Sequence, residues 1–293
     1  RSTVPLSHSH PPSVCVLCGA MKRWVKVLTT VVAVPAAFYA LKVGVLFAFQ
    51  NKIFYPSFWP PGSRGELQEQ PSAYGLDCHE LSIRAEDNTG LHTWVCWSPE
   101  QQQDPVLACE REGEVTESVE KEEEEEEEER APVVVMFHGN AGNVSHRLPF
   151  LRQMIGDTGA IVVAPSYRGY GLSEGSPSEP GLQQDAMAVM RWMQQQKWLQ
   201  RRRLYVYGQS LGGAVAVYAV SRFLEQVKES GGGMILENTF TSVDAMIDYL
   251  YPKWTLYPFF KKFLLRNHWN SLSRVTEFEN LPVLLIAGQR EEI

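Results

Sequence analysis

The 293-residue chain is poor in three things: it has five cysteines, no extended basic stretch, and no histidine after His268. An odd and small cysteine count excludes a disulfide-built scaffold. Cys15 and Cys18 have zinc-like spacing, but a structural site needs four ligands and this pair supplies two. No metal is expected. The net charge of -7 comes from one place. Residues 100–130, with an unbroken glutamate run from Glu122 to Glu129, hold 15 acidic and 3 basic residues, which leaves the remainder at +5. No basic groove of the kind nucleic acid demands is present, so nucleic acid is excluded as a partner. The acidic stretch itself is too charged to join a core and reads as a solvated spacer.

Long apolar runs, by contrast, are plentiful. Met21 opens "MKRWVKVLTTVVAVPAAFYALKVGVLFAFQNK", and residues 1–20 before it read as a leader outside the native start. Val27 to Phe49 is almost all apolar with Lys42 the one charge, long enough to cross the ~30 Å hydrocarbon layer and longer than the ~7–15-residue core of a cleaved signal peptide. Residues 21–52 are therefore expected to be a single membrane anchor. Lys22, Arg23 and Lys26 precede it and only Lys52 follows closely, which keeps the N-terminus cytoplasmic and sends the rest to the lumenal or outer side. Residues 53–75, rich in proline and glycine, read as a linker.

From residue 76 to 293 the pattern is that of one α/β domain. "CHELSIRAEDNTGLHTWVCW" (Cys78–Trp97) alternates and turns like an antiparallel hairpin. It brings Cys78 and Cys96 near each other, either as a disulfide in an oxidising compartment or as two thiols. Five apolar runs then alternate with helical stretches: Pro132–Gly139, Gly159–Pro165, Arg203–Gly208, Gly232–Asn238 and Leu281–Gly288. Such runs are strands buried on both faces, and the alternation predicts a doubly wound, mostly parallel sheet with helices on both sides. Residues 240–269 interrupt it with an aromatic-rich excursion, either a cap suited to an acyl or lipid substrate or ordinary packing helices.

"YVYGQSLGGAVAVYAV" (Tyr205–Val220) carries the chemistry. A Gly-x-Ser-x-Gly turn between an apolar strand and a small-residue helix holds Ser210 on a sharp elbow with its hydroxyl raised above the sheet. The Leu211 amide, at the helix start, then faces a developing oxyanion. "MFHGNAGN" (Met136–Asn143) follows the first long strand, where this architecture keeps its other oxyanion donor, here assigned to the Asn140 amide. His138 reads as structural. Asn143-Val144-Ser145 matches a glycosylation sequon, but a glycan there would obstruct the loop, so the match is read as chance. Arg168 in "SYRGYGLSEG" either binds a substrate carboxylate or phosphate or holds its loop through backbone carbonyls.

"FHGNAGN", "YRGYGLSEG", "GQSLGGAVAV", "ENTFTSV" and "PVLLIAGQREEI" stand here in the order and spacing of the bud-emergence-type α/β-hydrolases, and the chain resembles that family from about residue 45 to 293. The acidic insert departs from its pattern. The resemblance implies an α/β-hydrolase fold and a membrane-anchored serine hydrolase with a Ser–Asp–His triad and no cofactor. Ser210 matches the nucleophile. The acid falls on Glu291, where relatives carry aspartate, with Glu292 adjacent. In this fold the order is serine, acid, histidine. His146 and His268 precede the acid, so the base is expected beyond Ile293 and the chain as given is expected to be inactive. The glutamate at the acid position motivates a second reading, a non-catalytic membrane-tethered interaction protein on the same scaffold. Oligomeric state is left open.

Overall fold

A computed structural model describes residues 14–99, 130–199, 202–250 and 257–288. The acidic stretch up to residue 129 and both Glu291 and Glu292 lie outside the described residues. The chain divides into two units, residues 1–50 and 51–293.

The first unit is helix α1 (Val14–Ala48), which begins inside the segment read as a leader and contains Pro35. Its stretch Met21–Ala48 is 28 residues long and apolar enough to cross a membrane. At 1.5 Å rise per residue that is roughly 40 Å, more than the hydrocarbon layer requires.

The second unit opens with the short helix α2 (Gln50–Phe54) and a 3-10 turn at Pro71–Tyr74. Strands β1 (Asp77–Arg84) and β2 (Gly90–Trp97) form the expected hairpin. In it Cys78 lies directly opposite Cys96, and the two form a disulfide with Cα atoms 4.1 Å apart. Of the two states the sequence allowed, the bonded one is present. The stretch read as a linker packs on the domain: Tyr55 and Ser63 are buried.

All five apolar runs form strands: β3 (Val133–Phe137), β4 (Ile161–Pro165), β5 (Leu204–Gln209), β6 (Gly233–Glu237) and β7 (Val283–Ile286). They join the hairpin in one sheet, ordered β1-β2-β4-β3-β5-β6-β7. The pairs from β4 onward are parallel, and β2 meets β4 antiparallel. Successive residues of a strand point to opposite faces, and β3 shows why it must be apolar throughout. Val134 and Met136 pack with Leu148, Leu151 and Ile155 of α3 (Leu148–Thr158). Val133, Val135 and Phe137 belong to the other core, with Leu182 and Val189 of α4 (Glu179–Gln195) and Val215 and Ala219 of α5 (Leu211–Glu229). Between β6 and β7 the excursion forms α6 (Val243–Leu250) and α7 (Tyr257–Leu264), and α8 (Ser271–Val275) follows it. Parallel strands aim their carboxyl ends at one edge, so the loops after β3, β4, β5 and β6 gather there.

Candidate active site

Strand β5 ends at Gln209 and α5 begins at Leu211, so the whole reversal rests on Ser210. Its backbone sits at φ 52° and ψ -114°, a left-handed conformation that costs a side-chain-bearing residue on the order of 1–3 kcal/mol. Neighbouring structure holds it there. The Ser210 amide donates to the Glu237 carbonyl at 2.9 Å, and the Ser210 carbonyl accepts from Thr239 Oγ1 at 2.8 Å. The flanking glycines are required by close approach. A Cβ at Gly212 would collide with the Phe137 carbonyl, and one at Gly208 would strike the backbone of Gly212 and Gly213. Without side chains there, the first turn of α5 packs directly on the ends of β3 and β5.

The loop after β3 lies against this elbow: a Cβ on Gly139 would stand 3.2 Å from Gln209 Oε1. Asn140 is fixed by its own side chain. Its Oδ1 accepts from Tyr170 Oη at 2.8 Å, and its Nδ2 donates to the Phe54 carbonyl at 2.6 Å. Arg147 Nη2 donates to the carbonyls of Ala141 and Gly139, at 3.1 and 3.5 Å, so both carbonyls flanking Asn140 are tied on one side. The backbone amides of Asn140 and Leu211 donate to no acceptor among the described residues. Ser210 is half-buried and its Oγ makes no hydrogen bond among them. Amides without an acceptor, one at the helix start that follows the elbow serine and one in the adjoining glycine-rich loop, are the kind of donor that a tetrahedral oxyanion requires.

His138 is fully buried beside Tyr167 and Tyr170, with Nδ1 2.8 Å from the Gly139 carbonyl. Burial, with the Arg147 charge adding to it, lowers its pKa to about 3, so the ring stays neutral at neutral pH. Asn143 is buried too, with Nδ2 donating to the carbonyls of Ser63 and Glu66, which leaves no room for a glycan. Among the described residues Arg168 is held by two carboxylates rather than by backbone carbonyls. Its Nε donates to Asp185 Oδ1 at 2.8 Å and its Nη1 to Asp87 Oδ2 at 2.6 Å, closing the loop after β4. These bonds and the Arg168 charge lower the Asp87 pKa to about 2, whereas desolvation outweighs the same partner at Asp185 and raises it to about 6.

Neither histidine near the excursion or α3 meets Ser210. His146 Nδ1 accepts from the Asn143 amide at 3.1 Å, and His268 Nδ1 lies 3.1 Å from Asp244 Oδ2. Sequence reasoning missed Glu237, at the end of β6, whose carboxylate takes hydrogen bonds from Gln209 Nε2 (3.0 Å) and Tyr207 Oη. Burial first, and this carboxylate second, raise the Tyr207 pKa. A lone acid closing an apolar strand was the available signal. Arg147, whose pKa burial lowers, was also missed; only its place after the glycine-rich loop marked it.

The family described as the alpha/beta hydrolase fold matches residues 132–289. Protein bem46 of Schizosaccharomyces pombe is 30% identical over 86% of this chain and 73% of its own length. Uncharacterized membrane protein YNL320W of Saccharomyces cerevisiae is 30% identical over 88% of this chain and 77% of its own. Lysophosphatidylserine lipase ABHD12 of Danio rerio is 39% identical over a shorter stretch, 38% of this chain and 29% of its own length. The elbow after β5, the glycine-rich loop after β3 and the length of these matches lead to one conclusion: the chain belongs to the α/β-hydrolases, in the bud-emergence-type family of bem46.

Proposed function

We propose that the protein is a membrane-anchored serine hydrolase that cleaves an ester, thioester or amide of an acyl or lipid-like substrate. The observation that carries this reading is the strained Ser210 at the elbow, with the Leu211 and Asn140 amides donating to no acceptor among the described residues. Ser210 Oγ attacks the substrate carbonyl carbon and gives its proton to the histidine base of the family's triad, for which Glu291 is the candidate orienting acid. The carbonyl oxygen becomes an oxyanion between the two amides. Collapse expels the leaving group, which takes the proton from the histidine, and leaves an acyl-serine that water hydrolyses by the same route. No cofactor enters. The apolar excursion and the lipase named among the relatives favour an acyl chain in the substrate.

Helix α1 supplies the anchor in this reading, in a single pass with the N-terminus cytoplasmic and the domain on the lumenal or outer side. The Cys78–Cys96 bond agrees with that side, since disulfides persist in oxidising compartments. The test is hydrolysis of a series of esters of rising acyl length by the full-length protein and its Ser210→Ala variant. Loss of about 10⁴-fold or more in the variant supports the reading. Equal rates overturn it.

A further inference from the structure

Residues 51–59 follow directly from the apolar helix in the chain, and they are built into the mouth of the site. The Phe54 carbonyl holds Asn140 Nδ2 at 2.6 Å, and the Trp59 carbonyl accepts from the Gly142 amide at 2.7 Å, so two points of the oxyanion loop hang on this segment. The return limb of the excursion hangs on it too. Tyr55 Oη donates to Asn267 Oδ1 at 2.8 Å and accepts from Trp269 Nε1 at 2.9 Å, while Asn267 Nδ2 donates to Asn51 Oδ1 at 3.0 Å. Glu179 completes the junction by accepting from the amides of His268 and Trp269.

Amid this buried polar joint, three large apolar side chains point outward. Ile53, Phe58 and Trp59 are 59%, 58% and 59% exposed. Exposed aromatic and aliphatic residues this close together are costly in water and at home in the headgroup layer, where tryptophan concentrates. Phe58 and Trp59 follow Ala48, the end of α1, by ten and eleven positions, five of the intervening residues being helical. Such a connection spans no more than roughly 30 Å, so in a protein anchored by that helix the pair stays within reach of the membrane surface.

We propose that Ile53, Phe58 and Trp59 insert into the lipid headgroup layer and hold the mouth of the Ser210 site against the bilayer. The membrane is then the partner of this patch, and a bilayer-resident acyl lipid reaches Ser210 without crossing water; that second part rests on the hydrolase reading. The Trp59 ring is free to do this because the carbonyl of that residue carries its loop contact.

The test uses full-length protein reconstituted in phosphatidylcholine vesicles, with the lipid then replaced by one brominated near the headgroup end of its chains. Trp59→Phe should remove part of the bromine quenching of tryptophan emission, and Trp198→Phe, a residue packed against the core, should not. Quenching unchanged by Trp59→Phe overturns the proposal, whatever else covers the patch. In a second arm, Phe58→Asp should slow turnover of a vesicle-borne long-chain ester about tenfold, with fluorophosphonate labelling of Ser210 in detergent as in wild type. Turnover at the wild-type rate overturns the claim that the mouth is presented to the bilayer. Absence of labelling in the wild type refutes the hydrolase reading instead, and the quenching result still decides this one.

Discussion

Arg147 Nη2 donates to the Ala141 carbonyl at 3.1 Å and to the Gly139 carbonyl at 3.5 Å, bracketing Asn140, the proposed oxyanion donor. Among the described residues Arg147 forms no ion pair, and its Nη2 hydrogen bonds go to these backbone carbonyls. With both carbonyls held on one side, the Asn140 amide between them keeps its orientation. Arg147→Met should therefore lower kcat by about 10- to 100-fold with KM little changed, a smaller loss than deleting an oxyanion donor outright. Arg147→Lys should recover part of it. A variant that changes KM alone would contradict this positioning role.

Gly212 tests the elbow itself. Its Cβ would fall on the Phe137 carbonyl, a backbone atom that cannot step aside. Gly212→Ala should destabilise the domain by about 3 kcal/mol or more in denaturant titrations. Gly156 lies in α3 with nothing near the place a Cβ would occupy. Gly156→Ala should leave stability unchanged or raise it by up to about 1 kcal/mol.

The Cys78–Cys96 bond closes a hairpin of 18 residues' separation. Removing it by Cys78→Ser, or reducing it, should cost about 2–3 kcal/mol, read as a shift in denaturation midpoint. Identical midpoints with and without reductant would show that the bond contributes nothing to the folded domain.

His138 gives the domain a specific acid sensitivity. Its folded pKa is about 3, against about 6.5 when unfolded. Between these values the unfolded chain binds the proton and the folded one does not, so the contribution is full above about pH 6.5 and is lost as pH falls toward 3. By pH 4 the loss should be on the order of 3 kcal/mol. In His138→Gln the stability–pH curve should be flatter across this window. A curve of unchanged slope would contradict the burial of a neutral ring.

Most of the sheet was legible in the sequence because a strand buried on both faces has no polar residues to blur it. Val133 to Phe137 and Ile161 to Pro165 read directly as they fold. Ser210 was legible for a different reason: the glycines around it answer to local collisions, and local constraints leave local patterns. What stayed hidden depends on partners distant in the chain. Residues 53–75 looked like a linker because proline and glycine dominate them, yet Tyr55 is buried through bonds to Asn267 and Trp269, over two hundred positions away. Arg168 offered carbonyl or ligand binding, and only folding brings Asp87 and Asp185 to it. Glu237 was passed over because an acid at a strand end is ordinary until Tyr207 and Gln209 are seen to converge on it.

The central claim is that Ser210 is a nucleophile held ready beside two oxyanion amides. The most direct measurement is reaction of the full-length protein with a fluorophosphonate, followed by peptide mass mapping. The account predicts one adduct, on Ser210, and none in Ser210→Ala. An unreacted Ser210, or equal labelling of both proteins, would contradict it.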